Sequence, residues 1–230
     1  MHSFAKFRKD WLLGTVCFYI IYLLMTIPHS KFPFYSKPFL LLPLIIILFS
    51  FKGTFQRSVL LGALFFSWVG DILLLFVETS PGFFIGGLAS FLVAHIFYCI
   101  LFASEMKLAK AKKYFSARVL IAILIYLVGF LSFLFPYLGA LKIPVFIYAF
   151  VISMMLYMAL LLAKYWTLPV TAFLVSGALS FVISDSLLAI NKFYHPIPYS
   201  GFWIMLTYLY AQLALVYGWI LQKSPEPVKR

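Results

Sequence analysis

The 230-residue sequence predicts an all-α polytopic membrane protein, built as one bundle of eight transmembrane helices. Three observations lead to this prediction. Hydrophobic residues make up 65% of the chain and charged residues only 10%, whereas about a quarter of the residues in soluble domains are charged. The apolar residues fall into eight runs of span length, and basic residues occupy the short connectors between them. Eight spans leave no room for a large soluble domain, so residues 1–230 are predicted to form a single domain.

Each apolar run is assigned to one span, because about 17 to 25 apolar residues are needed for a helix to cross a bilayer. The predicted spans are 11–27, 38–51, 58–77, 83–103, 117–135, 143–163, 168–190 and 199–222.

The first two runs each have an alternative interpretation. The first follows a basic stretch, as in a secretory signal peptide, but PHSKFPF comes next instead of a small-residue cleavage site, so a retained helix is predicted. The second run is short, and Pro38 and Pro43 disfavour a straight helix there. If this segment is re-entrant, the number of spans becomes seven.

The distribution of Lys and Arg predicts the orientation of the bundle. With eight spans, 14 of the 18 basic residues lie on the side that holds both termini, and 4 lie on the other side. The positive-inside rule then places both termini in the cytoplasm. A seven-span arrangement would spoil this asymmetry. The basic residues are therefore topology determinants, no nucleic-acid partner is expected, and the short loops are typical of a bacterial inner-membrane protein.

Two aspartates lie inside predicted spans: Asp71 in VGDILLLF and Asp185 in VISDSLLAIN. A carboxylate at the centre of a span costs about 2.5 to 3.5 kcal/mol on insertion scales, and such residues usually face a partner, the bundle interior or water. Both spans run outward, and both carboxyls lie roughly 8 to 9 Å from the outer ends at 1.5 Å per residue. The two are therefore predicted to meet at one depth. A purely structural hydrogen-bonding role is the alternative, and it is weaker for a matched pair.

The surroundings of the two aspartates are alike. They are 114 residues apart, and each lies in a [Gly/Ser]-Asp-x-Leu-Leu segment downstream of a Gly-Ala-Leu tripeptide. A parallel repeat of four helices plus four accounts for this pattern, with the aspartate pair near its pseudo-two-fold axis.

Other polar residues inside spans are candidates for a substrate-binding site. Ser184 belongs to a stripe of small residues on the seventh span, and Asn191 lies at the outer end of that span. His95 is the only histidine inside a span, although a lone histidine is more often structural. Tyr208 and Gln212 lie one turn apart on the last span, where a buried amide needs partners.

Two further residues are weaker candidates. Tyr148 lies in the sixth span, but most of the 15 tyrosines are expected at the membrane interfaces or in packing. Lys37 begins the second span near its outer end, where it could meet a phosphate. A lysine that snorkels at a helix end is an equally good explanation.

Several enzyme classes are excluded by missing motifs. The sequence contains no GxSxG, HExxH or P-loop motif. The four histidines are scattered along the chain, so neither a metal nor another cofactor is predicted. An intramembrane aspartyl protease would need GxGD, where this chain has WVGD. A proton-coupled transporter remains an alternative, because paired intramembrane carboxylates are natural in that class too.

Five segments together resemble the YhhN-type family of membrane lysoplasmalogenases. They are SKP at 36–38, GD at 70–71, FLVAHIFY at 91–98, GALSFVISDSLLAINKF at 177–193 and TYLYAQ at 207–212. The resemblance implies about eight helices and hydrolysis of the vinyl ether bond of lysoplasmalogens, which yields a fatty aldehyde and a glycerophospho head group. It implies that Asp71 and Asp185 are the catalytic pair. Its implied pocket residues are Lys37, His95, Asn191, Tyr208 and Gln212.

The chemistry of a vinyl ether needs one acid and one base. Two carboxyls close together in a low dielectric share one proton, and the protonated carboxyl is then the general acid. Either aspartate could be the acid. Ser184 and Asn191 are donors near Asp185 that would keep it ionised, and this favours Asp71 as the acid. The predicted partners are a lysophospholipid substrate and the surrounding membrane lipids.

Overall fold

The computed structural model describes residues 2–27, 32–109 and 116–223. The predicted all-α class is confirmed, since the elements in these ranges are helices. They are α1 (His2–Thr26), α2 (Phe32–Ser36), a 3₁₀ turn (Lys37–Phe39), α3 (Leu42–Phe49), α4 (Phe55–Leu74), α5 (Pro81–Leu108), α6 (Ala117–Leu134), two 3₁₀ turns (Phe135–Tyr137 and Gly139–Leu141), α7 (Lys142–Leu162), α8 (Leu168–Ala189), a π-helical turn (Ile190–Tyr194) and α9 (Ser200–Lys223).

Polar caps and prolines mark where helices begin. The Thr54 side chain accepts a hydrogen bond from the Arg57 backbone N–H at 3.2 Å and caps α4. Ser80 caps α5 in the same way, and Pro81 is the first residue of that helix. Proline is tolerated there because the N–H it lacks has no partner in the first turn of a helix. These caps lie in the connectors that the sequence predicts.

Seven helical segments of the described chain are long and apolar enough to cross a membrane. They are Phe32–Phe49, Phe55–Leu74, Pro81–Leu108, Ala117–Tyr137, Gly139–Leu162, Leu168–Tyr194 and Ser200–Lys223. The apolar part of α1, Asp10–Thr26, is shorter. The chain is therefore an integral membrane protein, while a total of eight spans and cytoplasmic termini stay predictions.

The second predicted span is interrupted, as its prolines predict. Between α2 and α3 the chain passes through the 3₁₀ turn at Lys37–Phe39, and Pro43 lies in the first turn of α3. Neighbouring side chains bind carbonyls at the break: Trp68 Nε1 donates to the Pro38 oxygen at 2.6 Å, and Tyr19 Oη donates to the Leu40 oxygen at 2.9 Å. Broken backbone inside a bundle needs such partners because no water is available there.

Two tight helical hairpins, α4–α5 and α8–α9, form the centre of the bundle. Their helices approach closely where glycine removes a side chain. A Cβ atom at Gly70 would lie 2.7 Å from the Phe91 ring, and one at Gly177 would lie 3.1 Å from the Leu215 backbone nitrogen. Small residues at helix interfaces allow this approach in membranes.

The remaining helices differ in how deeply they are packed. Helix α7 packs against both α5 and α8, whereas α6 lies at the edge of the bundle against α7. Only 17% of the apolar stretch of α6 is buried, against 61% for α9. Helix α6 is therefore the most peripheral of these spans.

Side chains join the two hairpins in the core. Tyr98 on α5 donates a hydrogen bond to Gln212 Oε1 on α9 at 2.6 Å, across a sequence separation of 114 residues. Asp71 and Asp185 have the same separation. A contact between equivalent positions is what a two-fold repeat predicts at its axis, so this bond supports the predicted repeat of four helices plus four.

Candidate active site

A polar cavity of about 560 Å³ opens at the end of the bundle where α4 and α8 end and α5 and α9 begin. Both intramembrane aspartates line it, so the structure brings together the two carboxyls that the sequence predicts at one depth. The polar side chains of the lining are Tyr22, Thr26, Lys37, Asp71, Glu78, Ser184, Asp185, Asn191, Lys192, Ser200 and Tyr208.

Asp71 on α4 is held between a cation and a phenol. Its side chain is almost fully buried, and Oδ2 accepts a hydrogen bond from Tyr208 Oη of α9 at 2.6 Å. Lys37 Nζ, carried by the 3₁₀ turn that interrupts the second span, lies 3.6 Å from Oδ1. A nearby ammonium and a phenol donor both stabilise the charged form of a carboxyl. Both aspartates accept a hydrogen bond from a tyrosine, so the ammonium of Lys37 is the contact that favours ionisation of Asp71 in particular.

Asp185 on α8 has different partners. Tyr148 Oη of α7 donates a hydrogen bond to Oδ2 at 2.5 Å. His95 Nε2 of α5 lies 3.7 Å from the same oxygen. The structure therefore places His95 and Tyr148, two of the predicted site residues, beside the carboxyl group of Asp185.

The hydrogen bonds of His95 indicate where a proton must lie. His95 Nδ1 is 2.7 Å from the Phe91 carbonyl oxygen, and a carbonyl only accepts, so Nδ1 carries a hydrogen. In a neutral imidazole the lone pair is then on Nε2 and faces Asp185. If Asp185 were ionised as well, the lone pair on His95 Nε2 would face a negatively charged oxygen, and the two acceptors would repel each other. A proton on either His95 Nε2 or Asp185 removes this repulsion. The pair therefore favours the retention of one proton.

Ser184 and Asn191 line the cavity, but the reason for predicting Asp71 as the acid is wrong. Ser184 Oγ donates to the Ile204 backbone oxygen at 3.1 Å, and Asn191 Oδ1 accepts from the Ile197 backbone N–H at 2.9 Å. Both side chains bind backbone groups near the start of α9 instead of Asp185. Ser184 adjoins Asp185 in sequence, but consecutive helical residues point about 100° apart, so proximity along the chain does not create this contact.

Gln212 and His95 stand behind the cavity instead of lining it. Gln212 is fully buried and accepts the hydrogen bond of Tyr98, so the expected contact with a carboxyl or a head group is replaced by a core contact. The ring of His95 packs edge-on against Phe181 at 4.6 Å and Tyr148 at 5.4 Å. From these positions the two residues contact the side chains around the cavity instead of the cavity itself.

A second, apolar cleft adjoins the polar cavity at Asp185. It lies between α6, α7 and α8, beside the first turns of α5, and holds about 50 Å³. Asp185, Phe84 and Leu188 line both spaces. The Asp185 carboxyl therefore stands at the boundary between a polar and an apolar compartment.

Several cavity residues escape the sequence analysis. Glu78 follows α4 at the mouth, and Phe91 and Met205 line the wall. Phe91 and Met205 are themselves 114 residues apart, like the two aspartates, so the predicted repeat could have identified this pair. Glu78 carried a weaker signal, as an isolated acid at the outer end of a span.

The described residues contain no group of three or more His, Cys, Asp or Glu side chains that could hold a metal ion. The expected absence of a metal and of other cofactors remains a prediction.

Comparison with known proteins identifies relatives of this chain. The YhhN family model matches residues 32–219. Lysoplasmalogenase TMEM86A of Homo sapiens is 34% identical over 72% of this chain, and the Bos taurus protein of that name is 32% identical over 72%. The matches span 66% of those two relatives, slightly less than two thirds of their length. Lysoplasmalogenase TMEM86B of Homo sapiens is 27% identical over 94% of this chain and 88% of its own length. No solved structure matches the chain significantly. Because the family model covers most of the sequence, the chain belongs to the YhhN family.

Proposed function

We propose that this protein is a lysoplasmalogenase-like hydrolase that cleaves the vinyl ether bond of alkenyl lysophospholipids. One observation carries the proposal: two intramembrane carboxyls line one cavity but have unlike partners, Lys37 and Tyr208 for Asp71 against His95 and Tyr148 for Asp185. Unlike surroundings separate an acid from a base. The names of the TMEM86 relatives support the same reaction.

Asp185 is proposed as the general acid, which reverses the assignment that the sequence favours. It transfers its proton to the alkenyl carbon β to the ether oxygen, and the π electrons of the double bond form the new C–H bond. The other alkenyl carbon and the oxygen become an oxocarbenium ion. Asp185 suits this step because the Asp185–His95 pair favours the retention of one proton, and because the carboxyl borders the apolar cleft.

Asp71 is proposed as the anion that stabilises the oxocarbenium ion and receives a proton from the attacking water. The water oxygen bonds to the cationic carbon and gives a hemiacetal. The hemiacetal then collapses: its C–O bond to glycerol breaks, the glycerol oxygen takes the proton held by Asp71, and the hemiacetal hydroxyl gives its proton to Asp185. The fatty aldehyde leaves, and both aspartates return to their starting states. Atoms balance with water as the only co-substrate. Lys37 keeps Asp71 ionised in its buried position.

The mouth of the cavity suits a zwitterionic head group. Lys192 and Glu78 both line the mouth, and Lys192 Nζ lies 5.0 Å above the ring of Phe84. Opposite charges at one rim match the phosphate and the ammonium group of an ethanolamine or choline lysolipid. Lys37 is already paired with Asp71, so Lys192 is the proposed phosphate contact.

A proton-coupled transporter is the second candidate, and the interrupted second span favours it. Broken helices beside intramembrane carboxylates are typical of transporter binding sites, and here the break carries Lys37 to Asp71. Proton uptake by proteoliposomes with a pH-sensitive dye inside tests this function. Flux lost in Asp71→Asn, with no hydrolysis by the wild type, would favour the transporter.

The hydrolase is tested with purified protein in detergent and alkenyl-lysophosphatidylethanolamine, by following aldehyde release. Asp71→Asn and Asp185→Asn are each expected to lower kcat by about 10² to 10⁴-fold, the usual contribution of a general acid or base. Asp10→Asn is the matched control, because Asp10 is the remaining aspartate and does not line the cavity. An alkyl-ether lysolipid, which has no double bond to protonate, should release nothing. Full activity in a folded Asp71→Asn or Asp185→Asn variant would overturn the assignment.

A further inference from the structure

The acid–base reaction alone does not explain why an apolar cleft lies beside Asp185. Its wall consists of apolar and aromatic side chains of α5, α6, α7 and α8, among them Leu127, Ala149, Ile152 and Val182. Asp185 and the neighbouring Tyr148 and Ser186 add polar atoms at one side. A polar head group has few partners there, whereas a hydrocarbon chain meets complementary surface.

The position of the cleft fits the tail of the substrate. The carbon that receives the proton must lie at Asp185, and the chain continues from that carbon, away from the ether oxygen. The oxygen and glycerol belong in the polar cavity, and Asp185 lies between the two spaces. The first methylene groups of the chain therefore enter the apolar cleft.

The outer edge of the cleft lies at the most weakly buried helix. Tyr126 on α6 and Ser186 on α8 form a hydrogen bond of 2.5 Å across this edge, and Tyr126 is 38% exposed at the surface of the bundle. Helix α6 packs mainly on α7 and has the smallest buried share of the spans described. Since 50 Å³ is too small for a long chain, most of the chain must lie beyond this edge, in the bilayer.

We propose that the cleft between α6, α7 and α8 binds the alkenyl chain, which enters sideways from the bilayer between α6 and α8, and that Ala149 limits how much chain the cleft accepts. This inference rests on the proposed function. It makes the enzyme selective for the hydrocarbon as well as for the head group, and it allows the substrate to reach Asp185 without leaving the membrane.

The test compares a hexadecenyl with an ethenyl lysophosphatidylethanolamine, whose alkenyl group ends at the carbon that receives the proton, on purified wild type, Ala149→Phe and Ala122→Phe. The phenylalanine ring at position 149 fills the cleft, so kcat/KM for the long chain is expected to fall by about tenfold or more while the short-chain value stays near wild type. Ala122 lies on the exposed surface of α6 and does not line the cleft, so Ala122→Phe controls for added bulk.

The outcomes separate the two proposals. No aldehyde from either substrate with the wild type contradicts the proposed function itself. A wild type that is active, with Ala149→Phe unchanged on both substrates or equally reduced on both, contradicts the chain channel alone. If Ala149→Phe does not fold, as judged by size-exclusion chromatography, the smaller Ala149→Leu replaces it, with the same chain-length difference expected.

Discussion

At the scale of single residues, the contacts of the two aspartates are the basis of their proposed roles. Asp71 and Asp185 look alike in sequence, each in a [Gly/Ser]-Asp-x-Leu-Leu segment. They differ in what other elements bring to them: a lysine from the broken helix for one, and a histidine from α5 for the other. The proposed division of the pair into an acid and a base therefore depends on residues far away in sequence.

The two lysines at the cavity are predicted to act differently. Lys37→Met is expected to lower kcat on alkenyl lysophosphatidylethanolamine and equally on an alkenyl glycerol without phosphate, because Asp71 loses the ammonium that keeps it ionised. Lys192→Met is expected to raise KM for the phospholipid only, since its proposed contact is the phosphate. Steady-state kinetics on both substrates measures the difference. A Lys37→Met defect confined to the phospholipid would show that Lys37 binds phosphate instead.

At the scale of helices, polar contacts join α5 and α9 at one end of the bundle. Glu105 near the end of α5 is 3% exposed and accepts hydrogen bonds from Lys223 Nζ at 3.0 Å and Gln222 Nε2 at 2.7 Å, both on α9. This cluster lies at the opposite end from the polar cavity. A buried carboxylate such as Glu105 needs a nearby cation, because a buried charge without a partner is energetically costly.

Glu105→Gln is therefore predicted to destabilise the fold without changing the chemistry. We expect a loss of about 1.5 to 3 kcal/mol, the usual worth of a hydrogen bond to a charged group, because the charge left behind is on Lys223, which is partly exposed. Thermal unfolding in detergent measures the loss, and aldehyde release per folded molecule should match the wild type. Lys107→Gln, at an exposed site on the same part of α5, should leave the unfolding midpoint unchanged. An unchanged midpoint in Glu105→Gln would contradict a stabilising role.

The sequence predicts the positions of the helices better than the partners of the polar side chains, for physical reasons. Span positions are predictable because bilayer thickness fixes the apolar length, and Pro38 and Pro43 mark the interruption of the second span. The partners of polar side chains are not predictable in this way. Ser184 and Asn191 lie near Asp185 in sequence but bind backbone near α9, while Lys37 reaches Asp71 from another helix. Those contacts depend on tertiary packing, which hydropathy does not encode.

At the scale of the whole molecule, Lys37 and Lys192 line the cavity, but four other basic residues lie at the opposite end of the bundle. Arg57, Lys107, Lys164 and Lys223 lie near the ends of helices away from the cavity mouth. The positive-inside rule then predicts that the mouth faces the side opposite the cytoplasm, where a lysolipid of the outer leaflet can place its head group.

This orientation is predicted to appear in cysteine labelling of intact cells. In a Cys17→Ala, Cys99→Ala background, Glu78→Cys at the mouth should react with a membrane-impermeant maleimide from outside. Gly53→Cys, exposed in the connector before α4, should react only after the membrane is permeabilised. The reverse order of reactivity would place the mouth in the cytoplasm.

The most direct test of the account is hydrolysis of an alkenyl lysophospholipid by the purified protein in heavy water, with immediate reduction of the aldehyde to an alcohol and mass spectrometry of the product. Proton transfer to carbon predicts a single deuterium on the carbon next to the former aldehyde carbon. It also predicts that Asp185→Asn forms little of this product. An aldehyde formed without deuterium at that carbon would contradict acid catalysis on the double bond, and with it the role assigned to Asp185.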